Sequence, residues 1–245
     1  MRIFCFSGSG NSYSVAKDIG THFSTKPELI THFKEKSVIE ATEPQIGIIA
    51  PVHLDDIPKV VKEFILKLSF ADPDTYVFTV LTSSSGKSKK GLKNVSLALA
   101  QHGMRLALAY YVQMPSSFQE RADLDSILGA VPEKVAEIIN AIEARRENYG
   151  QHSSALLPKG FTKLSIMHRP ISRMAVTEKC AGCGLCCSLC PTNNIKLQNG
   201  KAVRGKDCIA CTACANWCPQ YAISSRRLIG QYRHPEVSAA DLLIT

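Results

Sequence analysis

The sequence predicts an α/β doubly wound parallel sheet of five strands over residues 1–150 and a small α+β domain over residues 176–245. Apolar runs alternate with helical patterns throughout the first part. Nine of the ten cysteines lie after residue 150, and residues 151–175, punctuated by Pro158 and Pro170, show no long period. We therefore predict a sheet domain, a connector and a cysteine-rich domain, in that order.

Five apolar runs predict the strands of the sheet: residues 1–6, 29–33, 46–50, 76–81 and 105–112. Strands that are apolar along their whole length are typical of a parallel sheet covered on both faces. Stripes of apolar residues at helical spacing predict helices at residues 11–23, 57–68, 92–99 and 131–142. The alternation of strands and helices indicates an open doubly wound sheet.

The formal net charge of +8 arises entirely after residue 150, where 12 Lys and Arg face 4 Asp and Glu. A nucleic-acid interface would need basic residues on one face together with groups that read or stack on bases. The sequence shows no such arrangement, so no nucleic-acid partner is expected. No stretch reaches the roughly 20 apolar residues of a membrane span, and the first residues lack the pattern of a signal peptide. We expect a cytoplasmic location.

The cysteines form an internal repeat with an offset of 28 residues. Each copy reads C-x₂-C-x₂-C-x₃-C-P, the run of bacterial ferredoxins that hold two [4Fe–4S] clusters, in which the fourth cysteine ligates the other cluster. One predicted ligand set is therefore Cys180, Cys183, Cys186 and Cys218. The other is Cys208, Cys211, Cys214 and Cys190.

Structural zinc and disulfides are the alternative uses of these cysteines. Zinc sites need only C-x₂-C pairs and leave the third cysteine and the C-P endings of each copy unexplained. Disulfides are rare in a chain that is not secreted. Cys187 has no counterpart in the second copy, where Ala215 stands, and is interpreted as a spare thiol. Cys5 is interpreted as a small buried apolar residue.

A loop of small residues, 7–12, joins the first predicted strand to the first predicted helix. Free N–H groups at a helix N-terminus make an anion site, and the hydroxyls of Ser7, Ser9 and Ser12 add donors. The dinucleotide fingerprint fails because Tyr13 replaces its last glycine. A P-loop ending at Ser88 fails because Leu81 replaces its first glycine.

The loop resembles the phosphate-binding loop of flavodoxins, which hold FMN. The resemblance to flavodoxins covers residues 1–148. Together with the cysteine repeat at 176–225, the chain resembles a family of flavodoxin–ferredoxin fusions. The resemblance implies that FMN is held by three loops that follow strands. Their residues are Ser7, Ser9, Gly10, Asn11 and Ser12; Pro51, Val52 and His53; and Ser83, Ser84, Ser85 and Gly86.

The implied function is electron transfer between two [4Fe–4S] clusters and FMN by an oxidoreductase that couples one-electron carriers to two-electron chemistry. Two alternatives remain open: a pure carrier between protein partners, and a docking platform whose first domain binds no flavin. The expected partners are a redox protein, such as an acidic ferredoxin or flavodoxin, and a small-molecule acceptor; a homodimer is left open. His53 is expected to stack on or cap the flavin, or to hydrogen-bond within its loop, with protonation of reduced flavin or of a substrate as its alternative role. No catalytic residue is assigned.

Overall fold

The computed structural model describes residues 1–118, 123–149, 174–225, 228 and 230–243. Residues up to 149 form a sheet covered by helices, which we call the sheet body. Its elements in chain order are β1 (Arg2–Cys5), α1 (Asn11–His22), β2 (Glu28–Leu29), β3 (Ile39–Ala41), β4 (Gln45–Pro51), α2 (Lys59–Ile65), β5 (Leu68–Phe70), β6 (Tyr76–Ser83), α3 (Gly91–Ala100), β7 (Leu106–Gln113), α4 (Leu124–Gly129) and α5 (Val131–Glu143).

Five of these strands form one parallel sheet in the order β2-β1-β4-β6-β7. Numbered within the sheet alone, this is the order 2-1-3-4-5 of flavodoxin-like doubly wound folds. The predicted fold of the first part is therefore confirmed. In this order the chain reverses direction across the sheet between β1 and β4, and a crevice for a ligand is expected outside the carboxyl ends of these strands.

The two faces of the sheet bury alternate residues of each strand, as the pleat requires. On β1, Ile3 and Cys5 pack on the face covered by α1 and α5, whereas Phe4 packs on the face covered by α2 and α3. All eight residues of β6 are buried, as expected for a strand between two helical layers. Cys5 is fully buried and serves as an apolar core residue.

Two boundaries differ from the sequence-based expectation. The strand predicted at residues 29–33 is wrong for most of its length, because β2 ends at Leu29 and Ile30–Phe33 is a 3₁₀ helix. The helix predicted at 57–68 begins only after Pro58, which lacks the N–H that a helix interior needs. It ends at Ile65, because Leu68–Phe70 pairs with β3 in a small parallel sheet. Neither this sheet nor α4 was predicted.

The second part, which we call the C-terminal module, comprises the described residues from 174 onward. Strands β8 (Ala175–Val176) and β11 (Ile223–Ser224) pair with each other, and a hairpin joins β9 (Ile195–Gln198) to β10 (Lys201–Arg204). Its turn is Asn199-Gly200, both at positive φ, which is typical of a type I′ hairpin. Two short helices, α6 (Leu185–Ser188) and α7 (Ala213–Asn216), follow cysteine loops, and a 3₁₀ turn at Ala239–Leu242 ends the described chain.

The 28-residue repeat of the sequence is also present in the backbone of the module. Helix α7 lies 28 residues after α6, and each begins after a residue in the left-handed conformation. Three pairs of positive φ angles recur at this offset: Gly182 and Ala210, Gly184 and Thr212, and Asn193 and Tyr221. Alanine, threonine and tyrosine adopt this conformation at a cost. The second copy therefore keeps the loop shape of the first without its glycines.

The C-terminal module packs on the sheet body and shares a core with it. Apolar residues from both cysteine loops and from the C-terminal tail belong to the cluster built on β1, β4 and α2; they include Leu189, Ile209, Trp217, Val237 and Leu242. Of the predicted connector, residues 151–175, the part up to residue 173 lies outside the described residues. The predicted domain boundaries thus stay a prediction.

Candidate functional site

An open cavity of about 200 Å³ lies at the carboxyl ends of β1, β4, β6 and β7. We call it the sheet-edge cavity. The residues predicted to hold FMN that line it are Ser7, Ser9, Asn11, Ser12, Pro51, Val52, His53, Ser83 and Ser84. It therefore brings together residues from all three predicted loops, because the ends of parallel strands meet at one edge. Gly10, Ser85 and Gly86 do not line it.

The first loop, residues 7–12, presents a helix N-terminus to this cavity. Gly10 has φ 99°, and α1 begins at Asn11 without a hydrogen bond from a side-chain cap. The carbonyl of Gly10 accepts the first helical bond, from the N–H of Ser14, at 2.9 Å. The first N–H groups of a helix have no intrahelical partner and carry the positive end of the helix dipole. The loop therefore has the electrostatic character of an anion site.

The polar side chains of the first loop are partly engaged within the protein. Ser7 Oγ accepts the N–H of Gly10 at 3.1 Å, and the hydroxyls of Ser12 and Thr82 are 2.7 Å apart. Asn11 Nδ2 donates to the carbonyl of Pro115 at 2.9 Å. These bonds fix the shape of the loop. Backbone N–H groups are accordingly the better candidates for contact with an anion. The hydroxyls of Ser7 and Ser12, which were predicted as donors to the anion, already form hydrogen bonds within the protein.

His53 begins a tight turn at the rim of the cavity. Its N–H donates to the carbonyl of Asp56 at 2.7 Å, and Leu54 and Asp55 between them both have positive φ. The Asp55 carbonyl accepts the hydroxyl of Ser88 at 2.7 Å, which ties the turn to the start of α3. Leu54 is 64% exposed and also lines the cavity. Strained backbone of this kind is frequent at ligand sites.

The imidazole of His53 is held neutral. Its Nδ1 is shielded from solvent and, among the described residues, has no hydrogen-bond partner. Burial lowers the pKa of His53 to about 4. At neutral pH the ring therefore carries no charge and offers one donor and one acceptor to a neighbouring polar group.

A partly buried ion pair supports the His53 turn. Asp56 accepts the Lys62 ammonium at 2.5 Å, the Asn94 amide at 2.7 Å and the N–H of Ile57 at 2.7 Å. The Lys62 side chain is only 10% exposed. The half-buried carboxylate of Asp56 thus has several donors and an ammonium, and it ties the turn to Lys62 on α2 and Asn94 on α3.

Only the first part of the loop after β6 lies at the sheet-edge cavity. The hydroxyl of Ser83 accepts the N–H of Lys87 at 3.0 Å, and Ser85 Oγ donates to the carbonyl of the same residue at 3.0 Å. This tight loop turns Ser85 and Gly86 away, toward an open depression beside α5. Only Ser83 and Ser84 of the third predicted loop remain at the sheet-edge cavity.

Several residues of the cavity were not among the predicted flavin contacts. They are Gly8, Leu54, Ala210 and Cys211, and the cavity is also lined by Thr82 and residues 114–118. Residues 114–118 follow β7, so their place at the same edge of the sheet follows from strand order. No sequence signal places Ala210 and Cys211 there, because they come from the C-terminal module. Cys211 was predicted only as a metal ligand.

The eight repeat cysteines line two further cavities, four at each. The first thiol cavity is lined by Cys180, Cys183, Cys186 and Cys218. The second thiol cavity is lined by Cys190, Cys208, Cys211 and Cys214. In each cavity one cysteine comes from the other copy of the repeat, which is the grouping expected from the ferredoxin run. Cys187 lines neither cavity.

The chemistry of these thiols bears on whether they can hold a metal centre. All ten cysteines are free, and within the described ranges no three Cys, His, Asp or Glu side chains lie close enough to hold a single metal ion. Burial raises the pKa of Cys211 to about 12 and of Cys186 to about 12. Such thiols stay protonated unless a bound metal deprotonates them. Among the described residues, each thiol cavity thus gathers four cysteines without a ready site for a single ion.

Backbone N–H groups donate to sulfur atoms in both copies, in one pair at equivalent places. Asn194 N is 3.2 Å from Cys190 Sγ, and Ala222 N, 28 residues later, is 3.3 Å from Cys218 Sγ. Ala202 N donates to Cys180 Sγ and Ala210 N to Cys208 Sγ, both at 3.4 Å. Donors aimed at sulfur favour the thiolate form and influence the potential of iron–sulfur centres. The donor set therefore fits a pair of iron–sulfur clusters.

No protein-family model matches the chain, and no curated protein matches it. Among solved structures it is similar to an FMN-dependent NADH-azoreductase from Bacillus anthracis, with 12% identity, 58% of this chain and 99% of that chain covered, and a TM-score of 0.39. It is also similar to a Trp repressor binding protein from Bacillus subtilis, with 10% identity, 61% and 100% covered, and a TM-score of 0.34.

A third similar structure is the rubredoxin oxygen:oxidoreductase of Desulfovibrio gigas, with 14% identity and a TM-score of 0.32. The match covers 58% of this chain and 36% of that one. The fold assignment depends on the strand order and register of the sheet body, and not on these likenesses. Among the described residues, none of the helices combines the length and the apolar character needed to cross a bilayer.

Proposed function

We propose that the chain binds two [4Fe–4S] clusters and one FMN and passes electrons between them. One observation carries the proposal: each thiol cavity is lined by three cysteines of one repeat copy and the fourth cysteine of the other. This grouping distinguishes a two-cluster ferredoxin-like module from other uses of cysteine. We assign Cys180, Cys183, Cys186 and Cys218 to one cluster, and Cys190, Cys208, Cys211 and Cys214 to the other.

The sheet-edge cavity supports the proposal of FMN as the third redox centre. It lies at the switch point of the sheet, where ligands of such folds bind, and an uncapped helix N-terminus offers N–H groups for a phosphate. His53, Val52 and Ser84 line the part of the cavity formed by the second and third loops. We propose that these loops contact the flavin ring, and that neutral His53 offers it a hydrogen bond.

The two kinds of site share a wall. Cys211 lines both the second thiol cavity and the sheet-edge cavity. When bound, FMN supplies one- and two-electron chemistry and the clusters supply one-electron chemistry, while the protein controls distance and access. Within the chain, the loop that contains Ala210 and Cys211 forms one wall of the sheet-edge cavity. This favours an oxidoreductase in which electrons pass within the chain. We also propose a cytoplasmic location, as expected from the sequence.

The pure electron carrier remains as a second candidate, favoured by the surface of the first thiol cavity. Cys183 is exposed there, and the neighbouring Leu197 is 45% exposed. Lys179 and Lys196 are exposed on the same module. Apolar residues beside positive charge suit transient docking of an acidic redox protein. Such a partner exchanges electrons at this surface in both candidate functions.

Cofactor analysis of anaerobically purified protein tests the proposal. We expect about eight irons, eight sulfides and one FMN per chain. Cys186→Ser should lower the iron content, whereas the matched control Cys187→Ser should not, because Cys187 lines neither cavity. Protein that binds zinc, or joins these thiols in disulfides, would contradict the clusters. Turnover of a small-molecule acceptor supports the oxidoreductase, and exchange with redox proteins alone supports the carrier.

A further inference from the structure

The first loop is contacted from outside by the C-terminal module. Trp217 Nε1 donates to the carbonyl of Gly8 at 2.9 Å in a buried hydrogen bond. The backbone N–H of His234 donates to the next carbonyl, that of Ser9, at 2.9 Å. Two successive carbonyls of the anion-binding loop are therefore satisfied by residues more than 200 positions away in the sequence.

These bonds decide where the N–H groups of the loop point. In a planar trans peptide the carbonyl of one residue and the N–H of the next point in opposite directions. Holding the carbonyl of Gly8 toward Trp217 therefore directs the N–H of Ser9 the other way. Loops that bind phosphate depend on N–H groups turned toward the anion.

Side chains and close packing add to this contact. Tyr232 donates its hydroxyl to Asn11 Oδ1 at 2.7 Å, and burial raises the pKa of Tyr232, so the proton stays on the hydroxyl. Asn11 in turn reaches the carbonyl of Pro115. At Gly8 no side chain fits, because a Cβ atom would lie 2.1 Å from the carbonyl oxygen of Cys211. The first loop is therefore enclosed between α1 and the module.

The residues that contact the first loop belong to the second cysteine loop and the tail beside it. Cys211 is a proposed cluster ligand, and Trp217 directly precedes the proposed ligand Cys218. Asn216 joins the tail to this loop, because its Oδ1 accepts the N–H of Tyr232 at 3.3 Å. Its Nδ2 also donates to the carbonyl of Ser117, at the rim of the sheet-edge cavity, at 3.1 Å.

We propose that Trp217 and Tyr232 are positioning residues that couple phosphate binding at the first loop to the assembled second thiol cavity. The inference rests on the proposed function and deepens it. Disorder of the second cysteine loop removes the donors from the first loop and weakens FMN binding. By linkage, FMN stabilises the second cysteine loop to the same extent.

The first test measures dissociation constants of FMN and riboflavin by flavin fluorescence, with the iron content determined for every sample. Trp217→Phe leaves the Gly8 carbonyl buried and unpaired, and should weaken FMN binding about five- to ten-fold. Tyr232→Phe removes one hydroxyl and should weaken it about three-fold. Riboflavin, which lacks the phosphate, should bind all variants equally. Tyr221→Phe is the matched control, because Tyr221 is 59% exposed on the same module.

The second test measures reciprocity through the rate at which a chelator removes iron. In the unmodified chain, saturating FMN should slow the release of about half of the iron several-fold, and riboflavin should slow it less. In Trp217→Phe, FMN should slow iron release less than it does in the unmodified chain. Equal effects of each variant on FMN and riboflavin, or iron release unaffected by FMN, would overturn the coupling while leaving both cofactors in place. A chain that binds neither cofactor would overturn the proposed function as well.

Discussion

In the sheet body, side chains as large as Phe4 and Phe78 are fully buried, together with isoleucines and leucines from every central strand. The C-terminal module has no comparable core of its own. Its two internal clusters among the described residues each contain three buried residues: Met174, Ala215 and Ile223 in one, and Cys190, Ile195 and Ala202 in the other. The larger apolar residues of the module pack on the sheet body instead.

This difference indicates two sources of stability within one chain. Burial of apolar surface, at roughly 25 cal/mol per Å², is enough to hold the sheet body together. A part with small clusters and four thiols around each of two cavities needs metal ligation or a partner surface. The module rests on the body through residues such as Trp217, and under the proposed function its cysteines would add metal ligation.

Removal of iron should produce the largest difference between the sheet body and the C-terminal module. After anaerobic chelation, we expect the C-terminal module to lose its fold, because its internal clusters are too small to replace the lost metal bonds. The sheet body should persist. Limited proteolysis with mass analysis should show a stable fragment ending near residue 149 and rapid loss of the rest. Equal protease resistance before and after chelation would mean that the module folds without metal.

The sequence predicts the sheet body well because its signals are local. Buried strands such as β6 read as continuous apolar runs, and the period of α5 identifies its buried face. The proposed ligand sets follow from spacing alone, since the fourth cysteine of a ferredoxin run turns to the other copy. Where strands are two or three residues long, as in β2, β3 and β5, pairing with distant residues decides the structure and no periodicity develops.

The junction between body and module could not be predicted for the same reason. The hydrogen bond between Trp217 and Gly8 spans 209 positions, and that between Tyr232 and Asn11 spans 221. Neither pair carries a motif. A tryptophan before a proposed ligand cysteine predicts only burial, and a glycine between serines suits an anion loop whether or not another backbone rests on it.

The next largest effect is expected in the core of the sheet body. Phe4 is fully buried, with its ring centroid 4.7 Å from that of Phe64 and 5.6 Å from that of Phe33. Phe4→Ala should lower the free energy of unfolding of the body by about 3–5 kcal/mol. Denaturant titration followed by circular dichroism measures it. Leu54→Ala, at an exposed position, should stay within about 0.5 kcal/mol. A comparable loss in both variants would contradict the account of the core.

A smaller effect is expected where the two parts touch. In Gly8→Ala the new methyl group meets the backbone of Cys211, which cannot move aside as a side chain would. Overpacking of this kind costs about 1–3 kcal/mol, and here it should separate the module from the body. Trp217 is the single tryptophan of the chain, so its emission reports on the junction. A shift to longer wavelength is expected, and an unchanged spectrum would show that the loop adapts.

A pH-dependent effect of similar size is expected within the body, at His53. Its pKa in the folded chain, about 4, lies below the ordinary value of 6.5. Between these values the unfolded chain binds more protons than the folded one, so stability falls as pH decreases from 6.5 and levels off below about 4. The contribution should amount to about 1–3 kcal/mol over the full range. Since His53→Gln removes the titrating group, the variant should lose less stability than the parent between pH 7 and 5. Parallel stability curves for the two proteins would show that the His53 ring is solvated in the folded chain.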